Sequence, residues 1–216
     1  MEQIEREILR YLGYKKASLP EEEVLRAIAE CREQAARLQP RHIWTELAIQ
    51  CNLEKQAVKI GEEWVHSSDF TRYISGCIGT VVLAATLGWE GDRMLRECSV
   101  RDMAKGVIMQ ATLAAYLEES LDGLQEQIKK AYAEKGLYLR SRYSPGYGDF
   151  PISLQKKVLE WTQAPKRIGL TVTESCMLSP TKSVTAFIGF SPRKEKCVAK
   201  SKCQACENRN CAFREE

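Results

Sequence analysis

The sequence predicts an α+β fold: a mostly antiparallel β-sheet packed with several helices, one of them long, and a short Cys-rich C-terminal tail. Three observations carry the prediction. Strand-like segments arrive in pairs with short joins rather than in strict alternation with helices, which argues against a doubly wound parallel sheet. One amphipathic stretch, about 100–134, is long enough for a helix of many turns. Four of the nine cysteines crowd into the C-terminal end.

The elements follow in order. "EQIEREILRYLG" sets Ile4, Ile8, Leu9 and Leu12 on one helical stripe and stops at Gly13. "SLPEEEVLRAIAECREQAARLQP" reads as a second helix. Ser18 and Glu21 have capping-box spacing, Pro20 suits the first turn, and Pro40 lies past the end. Its expected buried face is Val24, Leu25, Ile28, Cys31, Ala35 and Leu38. The period then changes to two: "HIWTELAIQ" puts Ile43, Thr45, Leu47 and Ile49 on one face of a strand. "QAVKIGEEWV" follows as strand with a turn at Gly61, and "SSDFTRYIS" as a short helix capped by Ser67 or Ser68. "GTVVLAATLG" is apolar throughout and predicts a strand buried on both faces.

The long helix draws its apolar side from Met103, Val107, Ile108, Ala111, Leu113, Leu117, Leu121, Leu124 and Ile128, and Gly136 ends it. "PISLQKKVLEWTQ" predicts one more helix, started by Pro151. "RIGLTVTES" and "SVTAFIGFS" then predict two strands joined by "CMLSPTK".

The 216 residues are 44% hydrophobic and 28% charged, enough for one substantial core. A net charge of +3, with basic and acidic residues interleaved, does not point to nucleic acid. No apolar run approaches the roughly 18 residues of a membrane span. The N-terminus lacks a signal-peptide apolar region, so no membrane association and a cytoplasmic location are expected. His42 and His66 have no evident acid–base partners and read as surface or structural residues.

Five cysteines (Cys31, Cys51, Cys77, Cys98, Cys176) lie among apolar neighbours and read as small core residues. The other four, Cys197, Cys203, Cys206 and Cys211, have the spacing C-x5-C-x2-C-x4-C. In a reducing compartment that density favours metal over disulfides. Four thiolates suit tetrahedral zinc or an iron–sulfur cluster, and the spacing selects neither. Lys194, Lys196, Lys200, Lys202 and Arg209 would offset the thiolate charge.

The segment "RYSPGYGDFP" (142–151) carries the chemistry. Pro145-Gly146 is a turn signal. Arg142 offers a forked set of donors for a carboxylate or phosphate. Gly146 and Gly148 would let a ligand touch the backbone, and Tyr147 adds a flat face with a polar tip. The set suits a zwitterionic, partly aromatic molecule.

"RYSPGYGDFPISLQ" resembles the S-adenosylmethionine loop, Arg-x-x-x-Gly-Tyr, of the activation (reactivation) domain of cobalamin-dependent methionine synthase. "LTVTESCMLSPTKSVTA" (170–186) is similar to that family's Thr-Glu-Ser segment. "LRYLGYK" and "AATLG" resemble segments of its free-standing form, so the likeness runs from about 4 to 195. The resemblance implies that Arg142 grips the methionine carboxylate and that Ser144, Gly146 and Tyr147 line the ligand. It further implies a glutamate on the long helix facing the amino group, best matched by Glu119, with Glu118 one place off.

The implied organisation is a ligand-binding activation-type domain over 1–195 and a metal-binding tail over 196–216. The implied function is support for the reductive methylation of stalled cob(II)alamin on a partner methionine synthase subunit, S-adenosylmethionine giving the methyl group. Site and donor chemistry alone also suit an accessory electron-transfer protein that reactivates another corrinoid protein. The chain has no cobalamin-binding Asp-x-His-x-x-Gly motif, so the corrinoid is expected on the partner. A ferredoxin or flavodoxin would supply the electron.

Overall fold

The computed structural model describes residues 3–14 and 20–194. In chain order its helices are α1 (Gln3–Tyr11), α2 (Glu22–Ala35), α3 (Ser68–Ile74), α4 (Gly88–Arg101), α5 (Met103–Ala133), α6 (Leu154–Thr162) and α7 (Ala164–Ile168). Its strands are β1 (Arg41–Asn52), β2 (Ala57–Ile60), β3 (Glu63–His66), β4 (Gly79–Thr86), β5 (Tyr138–Leu139), β6 (Thr171–Val172), β7 (Leu178–Ser179) and β8 (Ser183–Ser191). The described residues form two compact units, one from residues up to 39 with 89–120, the other from 40–88 with 121–194.

The first unit is helical. Ile8 and Leu9 of α1, Ile28 of α2, and Ala111 and Ala115 of α5 make its core. The small α5 residues leave room for the isoleucines to interdigitate. Glu5 pairs with Arg32 at 2.7 Å, joining α1 to α2, and Glu30 pairs with Lys105, joining α2 to α5. The α2 N-cap is Glu21, without a side-chain cap bond, and Ser18 lies outside the described residues. Leu25 is exposed rather than buried.

Two corrections apply to the long helix. It begins at Met103, and a separate helix, α4, precedes it. Asp102 divides them: its Oδ1 accepts the Lys105 N–H at 3.1 Å, the bond of an N-cap. A β-carbon on Gly106 would stand 2.5 Å from Ser99 Oγ, so glycine lets α5 leave the corner beside α4. "GWEGDRMLRECSVR" carries no continuous apolar stripe, which hid α4 in the sequence. Met103 and Val107, placed on the buried side by periodicity, are 79% and 58% exposed.

The second unit holds a six-stranded antiparallel sheet ordered β3-β2-β1-β4-β8-β5. Central β4 is buried at every position, as its unbroken apolar run requires. On β1 the expected alternation appears, Ile43, Thr45, Leu47 and Ile49 being more buried than their neighbours. "QAVKIGEEWV" resolves into the β2–β3 hairpin around Gly61, whose φ is +57°. On one sheet face Val82, Ala84 and Phe187 pack with Phe70 and Ile74 of α3 and Leu154, Val158 and Leu159 of α6. The C-terminal part of α5 buries Leu124, Ile128 and Tyr132 at four-residue spacing, and the Tyr132 ring lies 4.9 Å from that of Phe190 on β8.

The last two predicted strands are not neighbours. β6 pairs with β7 in a separate two-stranded sheet, while β8 inserts between β4 and β5. Only β8 is buried from Thr185 onward, so only it suits a central position. The core reading of the scattered cysteines holds for Cys31 alone. Cys51 is exposed, and Cys77, Cys98 and Cys176 are half-buried, because apolar neighbours in sequence do not fix which face a side chain takes.

Candidate functional site

The segment 142–151 runs across the second unit between three anchors. The Tyr143 N–H donates to the Phe187 carbonyl at 2.9 Å, and the Phe187 N–H returns a bond at 2.8 Å, fixing the loop to β8. The Phe150 ring is buried and stacks on Phe70 at 4.0 Å. Asp149 is the third anchor. Its carboxylate accepts from the Ser67 and Ser68 hydroxyls and from the backbone N–H groups of Ser68 and Asp69. Burial opposes its ionisation, but these bonds outweigh it and draw the carboxyl down to about 2. Ser67 also caps α3 by accepting the Phe70 N–H at 3.0 Å.

Between the anchors the chain turns sharply. The Gly146 N–H donates to the Phe150 carbonyl at 2.8 Å and the Tyr147 N–H to the Ser144 carbonyl at 3.1 Å. Gly146 and Gly148 have φ of +93° and +53°. Their roles differ. A β-carbon on Gly148 would stand 2.1 Å from Asp69 Oδ2, so the hydrogen at this position makes room for α3 rather than for a ligand. Ser144 is half-buried, whereas Gly146 and Tyr147 are exposed.

Arg142 is held by the C-terminal part of α5. Its Nη1 donates to Gln125 Oε1 at 2.9 Å and its Nη2 to Asp122 Oδ1 at 2.7 Å. The Gln125 amide nitrogen donates to the Arg140 carbonyl at 3.4 Å, which fixes the amide with its oxygen toward Arg142. The Arg142 side chain is 16% exposed and that of Asp122 63%. The guanidinium is thus oriented within the protein while its carboxylate partner stands in solvent. A guanidinium is the side chain whose planar donors match a carboxylate in bidentate fashion.

Asp122 and Gln125 were not anticipated from the sequence. Their spacing of three on an amphipathic helix was the available signal, since residues so separated share a face. Glu118 lies on the same α5 stripe, four before Asp122 and seven before Gln125. Glu119, exposed, is turned by about 100° from Glu118. Both glutamates fall in the first unit, where Glu118 lies near the Tyr11 phenol.

The segment 173–177 forms the β6–β7 turn. The Thr173 and Ser175 hydroxyls are 2.9 Å apart, and the Met177 N–H donates to Thr173 Oγ1 at 3.0 Å. This is a strand-end hydrogen-bonding role. Among the described residues no group of three or more His, Cys, Asp or Glu could hold a metal, and Cys197, Cys203, Cys206 and Cys211 lie outside them. Among the same residues no helix is long and apolar enough to cross a membrane.

Comparison with known proteins bears on this geometry. The family model described as "Vitamin B12 dependent methionine synthase, activation domain" matches residues 29–204. Among solved structures, the MetH reactivation domain crystallised with AdoHcy is similar over 90% of this chain and 78% of that one, with a TM-score of 0.64 and 16% identity. No curated protein matches.

Proposed function

The chain belongs to the activation-domain family of vitamin B12-dependent methionine synthases, and from that membership we propose that it binds S-adenosylmethionine at the loop 142–147. The observation that carries the proposal is Arg142, an oriented and largely buried guanidinium at the mouth of a turn held in register by Tyr143, Asp149 and Phe150. The residues fit an amino-acid carboxylate: a guanidinium is a planar, permanently charged donor group that matches a carboxylate in bidentate fashion. In this reading Ser144 and Gly146 present backbone to the ligand and Tyr147 offers its ring. A helix carboxylate, Glu119 or its neighbour Glu118, answers the ammonium.

In this reading the chain acts as an activation module. An electron from a ferredoxin or flavodoxin and the sulfonium methyl group of S-adenosylmethionine together return a partner's cob(II)alamin to methylcobalamin, leaving S-adenosylhomocysteine. The protein's part is positional, holding the methyl group where the partner's cobalt can reach it, and needs no acid or base. Family membership supports a methionine synthase as that partner over the corrinoid protein of another pathway. The four tail cysteines hold metal, iron–sulfur if the tail relays the electron and zinc if it only ties down the chain.

Calorimetric titration with S-adenosylmethionine tests the reading. Saturable binding that Arg142→Ala weakens by about 2 kcal/mol or more is expected for a charge-assisted contact. Equal affinity in the two proteins would overturn it. Affinity capture from extract then identifies the corrinoid partner.

A further inference from the structure

The pairing of β5 with β8 slips by one residue just before the ligand loop. Leu139 pairs with Phe190 and the Arg140 N–H donates to the Gly189 carbonyl at 2.8 Å, but the next bridge joins Tyr143 to Phe187. Ser141 and Arg142 therefore stand opposite Ile188, two residues against one, which makes a β-bulge. An unbroken ladder would set Arg142 rather than Tyr143 opposite Phe187. Arg142 would then point into the aromatic cluster of Phe70, Phe150 and Phe187, where Tyr143 packs. The bulge gives that place to Tyr143 and leaves Arg142 to reach Gln125 and Asp122 on α5.

The Tyr73 hydroxyl of α3 fills the bulge. It accepts the Gly189 N–H at 3.1 Å and donates to the Ser141 carbonyl at 2.6 Å, with the Phe187 carbonyl 3.2 Å away. In a regular antiparallel pair the Gly189 N–H would go to the Arg140 carbonyl. Here that carbonyl accepts from the Gln125 amide, and Gln125 Oε1 accepts in turn from Arg142. A β-carbon on Gly189 would stand 2.7 Å from Cys77 Sγ and 2.8 Å from Ile74 Cδ1, so glycine lets α3 come close enough for the hydroxyl to reach the strand. The Tyr73 ring lies 5.6 Å from that of Phe70 and 4.8 Å from that of Tyr143, and the Arg140 guanidinium donates to the Tyr73 and Ser75 carbonyls.

We propose that Tyr73 is a positioning residue of the ligand site, its hydroxyl holding the bulge that turns Arg142 onto α5. The inference rests on the reading of Arg142 as the arm that takes the ligand carboxylate. Tyr73→Phe keeps the ring and removes the hydroxyl. The Gly189 N–H then regains a partner by taking the Arg140 carbonyl, as in a regular ladder, which withdraws that carbonyl from Gln125 and loosens Arg142.

Calorimetry on the full chain tests this with two ligands, S-adenosylmethionine and its decarboxylated analogue, which keeps the ammonium and sulfonium but lacks the carboxylate. Tyr73→Phe should bind S-adenosylmethionine about tenfold more weakly and the analogue as the parent does. Equal weakening of both ligands is what a merely structural defect gives, and it would overturn the proposal. Added to Arg142→Ala, Tyr73→Phe should cost no further affinity for S-adenosylmethionine. Gln125→Leu, at a half-buried position on α5, cuts the same chain of bonds outside the aromatic cluster and should show the same selective loss whether or not Tyr73→Phe folds. Unchanged selectivity in either variant, with Arg142→Ala still weakening the ligand, would sink the role of Tyr73 and leave the carboxylate site standing. Full affinity in Arg142→Ala would remove that site, and this inference with it.

Discussion

Gly148 and Asp69 occupy space that only a glycine can share. A β-carbon would lie 2.1 Å from the Asp69 carboxylate, and the next residue donates its N–H to that same oxygen at 3.3 Å. The loop and α3 are joined reciprocally, since Asp149 in turn accepts the Asp69 N–H at 3.1 Å. Gly148→Ala therefore meets both a steric conflict and a φ of +53°. It should destabilise the protein by about 1–3 kcal/mol, measured by denaturant unfolding. It should also weaken S-adenosylmethionine binding through the displaced loop. A fully stable Gly148→Ala with unchanged affinity would contradict this placement.

Arg142→Ala should separate binding from folding. Its partner Asp122 is mostly in solvent, and such a pair contributes only about 0–1 kcal/mol to stability. The variant should fold and melt close to the parent yet lose tight ligand binding. A large fall in melting temperature would show instead that the arginine's bonds to Gln125 and Asp122 are mainly structural.

What the sequence showed, and what it hid, divides along local and non-local lines. β4 was legible because an unbroken run without a charged residue has one physical home, the centre of a covered sheet. The Ser67 cap and the Arg142–Tyr147 turn were legible because caps and turns are written in a few consecutive residues. The pairing of β8 with β4 rather than with the segment before it was not, since strand partners are chosen by burial across the whole sheet. The same holds for Asp149, whose partners Ser67 to Asp69 lie some eighty positions away in the chain. α4 stayed hidden because a helix that buries little leaves no periodic trace.

Asp149 should make the loop acid-sensitive. Its folded-state carboxyl, near 2, lies below the roughly 3.9 of an unfolded aspartate, so its contribution is complete above about pH 4 and fades as pH falls toward 2. Asp149→Asn keeps the shape but removes the charged acceptor, and should cost about 1–2 kcal/mol at neutral pH, as loss of a helix cap does. Unfolding followed from pH 6 to 2 should show a shallower decline in the variant. Parallel curves would remove Asp149 as the titrating group.

The tail is decided by metal analysis. Anaerobically purified protein that is brown, with several irons per chain, supports an electron relay through Cys197, Cys203, Cys206 and Cys211. A colourless protein with one zinc supports a structural knot and leaves the electron to pass directly from donor to cobalt.

Asp122→Asn provides the sharpest probe of the pocket's electrostatics. Asp122 Oδ1 accepts from Arg142 Nη2 at 2.7 Å, so in the protein alone a carboxylate already occupies one arm of the fork. A ligand carboxylate arriving at the same guanidinium meets a neighbour of like charge and must share or displace it. The aspartate is 63% exposed, so the repulsion is screened and the gain from removing it is bounded by that of an exposed ion pair, about 1 kcal/mol. Asp122→Asn should thus bind S-adenosylmethionine up to several-fold more tightly, with a weaker response to added salt. Gln125 still orients the arginine through its other nitrogen, so the geometry survives the change. Weaker binding in Asp122→Asn would reverse the assignment, making Asp122 itself the carboxylate that meets the ligand's ammonium or sulfonium charge.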